Sequence, residues 1–143
     1  MGEETAVAFL FVAPAIWGLL AGLIEIFFVI GDEGGMHPLV HGLHALPISI
    51  IFSYISFNAI PVGNYLANYI SFFGNPIVST YLIPFLIGII ATIKVKSAAS
   101  IISGGHTSVG ERLPHALLVG FFIALGPFIW PFLAPILPSF MNM

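Results

Sequence analysis

One stretch of this chain gathers most of its ligand-type side chains: Glu33-Gly34-Gly35-Met36-His37-Pro38-Leu39-Val40-His41-Gly42-Leu43-His44. On a helix, His37, His41 and His44 stand at i, i+4 and i+7 and share a face. Neutral imidazole nitrogens ligate zinc, copper, nickel or iron, and i, i+4 spacing lets two of them reach one ion. Glu25, Asp32, Glu33 or His115 would complete a shell, and the chemistry such a shell supports is a transition-metal site, for zinc or copper. Against this stand simpler uses of histidine, which settles at a membrane interface or hydrogen-bonds to a partner helix. Pro38 also disturbs the helical geometry at His37. A haem held by His41 or His44 together with His115 is geometrically allowed but has no supporting motif, and it is disfavoured.

Glu25 is the second residue of interest. It lies inside an apolar run, about five residues or roughly 7 Å from its end. A carboxylate at that depth costs up to roughly 3 kcal/mol on insertion scales and usually faces the protein interior. Together with His41 and His44 it could form a proton or ion path. The competing use is snorkelling towards the headgroups, paired with a lysine.

The elements that must position these groups are apolar helices. Of 143 residues, 59% are hydrophobic and 6% are charged, and mean hydropathy is +1.10. Three basic and six acidic side chains cannot clothe a water-soluble globule of this size. The composition therefore predicts an all-α integral membrane protein, a single membrane domain built as a bundle of about four transmembrane helices. The spans are expected at 6–30, 39–60, 76–93 and 113–138, with a short interfacial or re-entrant segment at 61–74 and a polar loop at 94–112. Tyr65 and Tyr69, like Asn64 and Asn68, lie one turn apart in that interfacial segment. Gly18 and Gly22 form a Gly-x-x-x-Gly pair, and Ser49, Ser53 and Ser56 fall on one helical face. Both features suit packing against a neighbouring helix. Pro127, Pro131 and Pro135 recur every fourth residue and are expected to distort the end of the last span, or to sit with Trp130 in the interface.

Lys94, Lys96 and Arg112, the whole basic complement, flank one loop. The positive-inside tendency places loop 94–112 in the cytoplasm. With four crossings, loop 31–37 falls on the same side and both termini lie outside. Every histidine, and every charge except Glu3 and Glu4, then sits on one membrane face.

Several classes are excluded. With no cysteine there is no disulfide, thiolate metal site or cysteine nucleophile. A net charge of −3 gives no basic patch for nucleic acid. There is no nucleophile elbow, phosphate-cradling glycine loop, His-Glu-x-x-His, voltage sensor or carbonyl filter. The preferred reading is a small non-catalytic subunit of a larger membrane-embedded complex, whose partners are the lipid bilayer and other membrane subunits or copies of itself. One alternative is an oligomeric channel or transporter for ions, protons or small solutes. Another is a metal-binding enzyme or electron-transfer subunit using the histidine face.

Overall fold

Proline decides where most of the helices begin, bend and end. The structure, a computed structural model, describes residues 9–32, 38–102 and 113–142, with side chains described for 9–28, 45–97 and 113–141. Every regular element among the described residues is helical. Helix α1 (Val12–Asp32) carries Pro14 in its first turn, where a missing N–H leaves no bond unmade. Helix α2 (Pro38–Phe57) opens on a proline for the same reason and holds Pro47 inside.

At Phe57 the ladder fails, because Pro61 has no N–H to return to the Phe57 carbonyl. After Asn58 the chain continues as α3 (Ala59–Ala67), with Pro61 now in a first turn, and the bend between the two helices is 71°. A 3-10 turn at Ser71–Gly74 follows. Next comes a π turn, Val78–Leu82, in which the Ile83 N–H reaches five residues back to the Val78 carbonyl. Helix α4 (Ile83–Ile102) grows out of it, and α5 (Leu113–Leu133) completes the bundle before two further 3-10 turns.

Two elements differ from the sequence expectation. The helix expected to end near Ile93 runs on to Ile102, so Lys94 and Lys96 are exposed residues of α4 rather than of a loop. The last helix continues through both Pro127 and Pro131 to Leu133 and only then tightens into the 3-10 turn Ala134–Ile136. It survives Pro127 because another helix replaces the lost donor, as described below.

Helices α1 and α2 form one close pair and α4 and α5 another; α2 also lies against α4 and α5, and α1 against α5. Glycine sets the closeness of both pairs. A Cβ added at Gly18 would stand 2.5 Å from the Ile50 Cα, and one at Gly22 would stand 2.7 Å from the Leu46 Cδ2. In the other pair, a Cβ at Gly88 would meet the Gly120 carbonyl oxygen at 2.7 Å, while the Thr92 hydroxyl occupies the space over Gly120. Backbones this close gain contact area that lipid chains cannot match.

The interior is made of small residues: Ala21, Ala91, Ala116, Val95, Val119 and Ile123 form one core cluster. Trp17, Phe57 and Trp130 form a second, with Trp17 stacked on Phe122 at 4.3 Å between centroids. The large side chains Phe27, Phe85, Phe121 and Phe132 point outward instead. An exterior of phenylalanine, isoleucine and leucine around an interior of alanine, glycine and serine suits lipid as the solvent. Two helices are long and apolar enough to cross a membrane, 20 residues at Val78–Ser97 and 24 at Leu113–Ile136, and the bent α2–α3 pair would make a third if it is one span. The described apolar part of α1 is Val12–Phe28.

Candidate functional site

The inner face of α2 carries an unbroken polar row. Ser49, Ser53 and Ser56 are each 0% exposed, and Glu25 of α1, facing the head of the row, is 2% exposed. Their spacing on α2 turns all three hydroxyls to one side, where α1 and α5 pack. Ser49 donates its hydroxyl to Glu25 Oε2 at 3.3 Å. Seven residues on, Ser56 donates to the main-chain oxygen of Ile123 in α5 at 3.1 Å. That oxygen is the one that Pro127, four residues later, cannot serve. Ser56 thus satisfies a carbonyl that a proline has orphaned.

Ser53 lies between them, and its hydroxyl has no hydrogen-bond partner. A serine or threonine inside a membrane helix commonly folds back on the carbonyl one turn earlier. Thr92 does this to Gly88 at 2.9 Å and Ser97 to Ile93 at 2.6 Å. Ser53 makes no such bond. A buried, unpaired hydroxyl costs roughly 1–3 kcal/mol.

At the far end of the row Asn58 is 1% exposed and grips the start of α1. Its Oδ1 accepts the Leu10 N–H at 2.7 Å, while its Nδ2 donates to the Leu10 carbonyl at 3.0 Å and to the Tyr54 carbonyl at 2.9 Å. Tyr54 adds a hydroxyl bond to the Phe11 carbonyl at 2.6 Å, and Trp17 bonds the Phe122 carbonyl through Nε1 at 2.9 Å. These contacts fix α1 lengthwise against α2 and α5, and so set Glu25 level with Ser49.

Beside Ser56 the chain leaves a half-open cavity of about 280 Å³, lined by Ser56, Ser79, Thr80, Pro61, Pro84 and Pro127 among others. Three helix irregularities meet here: the α2–α3 elbow, the π turn before α4 and the proline turn of α5. Irregular backbone at membrane depth is tolerated where it is buried in protein or lines a water-filled space.

Of the residues singled out from sequence, Glu25, Ser49, Ser53 and Ser56 lie together along this row, and Gly18 and Gly22 lie where α1 crosses α2. His115 stacks half-buried on Phe28, 4.3 Å between centroids and 8° from parallel. His37 and Glu33 fall outside the described residues. His41 and His44 lie in the first turns of α2, outside the described side chains. Among the described residues no group of three or more histidine, cysteine, aspartate or glutamate side chains could hold a metal ion. Tyr65 and Tyr69 place their hydroxyls 3.4 Å apart on the surface, and the bond from Tyr65 holds the Tyr69 phenol above its usual range. Asn58 and Trp17, which were not singled out from sequence for such a role, also make long-range bonds, and only the polarity of Asn58 within an apolar run signals it in advance.

Neither a family model, nor a curated protein, nor a solved structure matches this chain. Function is therefore argued from the site itself.

Proposed function

We propose that this chain is a membrane protein of four spans, α1, the α2–α3 pair, α4 and α5, which carries protons or small cations across the bilayer by way of Glu25. The observation that supports this most is the carboxylate itself, enclosed among helices at 2% exposure and bonded by the Ser49 hydroxyl. An ionisable group in such a place costs stability, and its ordinary use is on a substrate or proton path. The oxygen row of Ser49, Ser53 and Ser56 extends the polar line towards the cavity at the helix breaks. A purely supporting subunit would need only the glycine contacts, the aromatic cluster and the Asn58 grip, not a buried carboxylate. A metal-binding reading depends on the histidine face and gains no support from the described side chains. In this proposal the connections after α1 and after α4 share the cytoplasmic face.

Purified protein in liposomes, with an internal pH dye and an imposed proton or cation gradient, tests the reading. Wild type is expected to dissipate the gradient and Glu25→Gln to fall to the empty-liposome rate. Equal rates for wild type and Glu25→Gln would overturn it.

A further inference from the structure

We propose that the outer groove where α4 crosses α5 binds one acyl chain of an anionic phospholipid, whose phosphate lies at Lys96. The inference rests on the membrane placement proposed above and is independent of any role for Glu25.

The close approach of the two helices shapes the groove. Gly88 and Gly120 carry no side chain, so together with Thr92 they set a low, buried floor. The Thr92 hydroxyl bonds back to the Gly88 carbonyl at 2.9 Å and is thereby satisfied within its own helix. Phe85 and Ile93 on one side and Phe121 on the other rise as exposed walls. The groove holds about 220 Å³. From Phe85 to Ile93 α4 rises roughly 12 Å, so this volume is a channel only a few ångströms across. A hydrocarbon chain fits it; a helix, about 10 Å wide with its side chains, does not.

Charge and depth select the headgroup. Lys96 stands eleven residues after Phe85 and three after Ile93, which puts it on the groove face of α4. It is exposed and is the penultimate residue of the apolar span Val78–Ser97. From Phe85 to Lys96 the helix rises roughly 16 Å, half of a hydrocarbon core of about 30 Å. A lipid with its phosphate at Lys96 therefore runs its chain along the groove towards the bilayer midplane. Neither α4 nor α5 contains an acidic residue, so neither helix of the groove supplies an anion to this lysine. Its methylenes lie along apolar surface and its ammonium reaches the headgroups, where a phosphodiester meets it. Lys94, two residues earlier, projects from the opposite side of α4 and is the natural comparison.

The test uses the whole chain in phosphatidylcholine vesicles doped with phosphatidylglycerol that carries a diazirine in mid-chain. Cosedimentation with the vesicles, read first, tests the membrane placement apart from the lipid site. After irradiation, peptide mapping is expected to find the label concentrated at 85–93 and 117–124. One lysine near the surface is worth about a fivefold preference for anionic lipid, so Lys96→Gln should lower labelling about fivefold. Lys94→Gln should leave it within about twofold, and both lysines are exposed, so neither change endangers the fold. Unlabelled phosphatidylglycerol should compete about fivefold better than phosphatidylcholine. Glu25→Gln, whatever its flux, should label as wild type does. Label spread evenly over the outward faces, equal losses in the two lysine variants, or equal competition by the two lipids overturns the proposal. So does label lost from the groove as the protein-to-lipid ratio is raised, the mark of a second copy of the chain in the lipid's place.

Discussion

Ser56 of α2 donates its hydroxyl to the carbonyl of Ile123 in α5, the oxygen left without a helical donor by Pro127. A helix-breaking residue and the side chain that repairs the break thus lie on different helices, 67 residues apart. This pairing satisfies the carbonyl that Pro127 leaves open and ties that turn of α5 to the polar face of α2. It also predicts coupling. Ser56→Ala should destabilise the protein by about 1–3 kcal/mol, since it leaves a buried carbonyl unpaired. In a Pro127→Ala background, where the backbone N–H returns, the same change should cost about 1 kcal/mol less. Unfolding of the four variants in mixed micelles measures the difference, and strict additivity contradicts the repair.

Asn58 should matter more than its place at a bend suggests. Its amide satisfies both backbone groups of Leu10 and the Tyr54 carbonyl. Asn58→Ala removes all three bonds and is expected to cost about 2–4 kcal/mol. Asn58→Asp keeps the acceptor but loses both donors and should be nearly as harmful. Thermal melting followed by Trp17 fluorescence reads this, because Trp17 packs two turns inside the gripped end.

The two glycine crossings should resist any added side chain. Gly18→Ala puts a methyl group 2.5 Å from the Ile50 Cα, and Gly88→Ala puts one 2.7 Å from the Gly120 carbonyl oxygen. Each should cost about 1–3 kcal/mol by forcing backbones apart. Gly74→Ala, whose Cβ would meet only the Ala67 Cβ at 3.1 Å on an exposed turn, is the mild comparison. Equal melting temperatures for all three would contradict the close crossings.

The proposed role of Glu25 separates flux from folding. Glu25→Met removes the carboxyl group that Ser49 bonds and is expected to abolish flux while the protein still folds. Circular dichroism melting and the liposome assay, run on one preparation, check both halves together.

Much of this was readable along the chain, and the reasons differ by element. The serine face follows from helical spacing alone, since i, i+4 and i+7 turn one way whatever the fold. The apolar helices follow from hydropathy, because lipid leaves backbone groups no partner outside a helix. The sequence ends the second span near Ile60 and opens a separate segment at Pro61; the structure puts the break three residues earlier, where Pro61 frees the Phe57 carbonyl at a 71° elbow. The π turn before Pro84 leaves no mark on periodicity. The survival of α5 through Pro127 depended on a hydroxyl from another helix, which no local pattern can announce. The histidine stripe drew attention because imidazole is chemically versatile, whereas the side chain that the fold places among interior hydroxyls is a single glutamate.

Hydrocarbon must surround the outward phenylalanines while the serine row faces in. A nitroxide attached to a cysteine at Phe121, 61% exposed on α5, reports this directly in reconstituted protein. Embedded in a bilayer, it should collide freely with molecular oxygen, which concentrates in lipid, and scarcely with a water-soluble nickel chelate. Relaxation dominated by the nickel chelate would show water at that face and contradict the account.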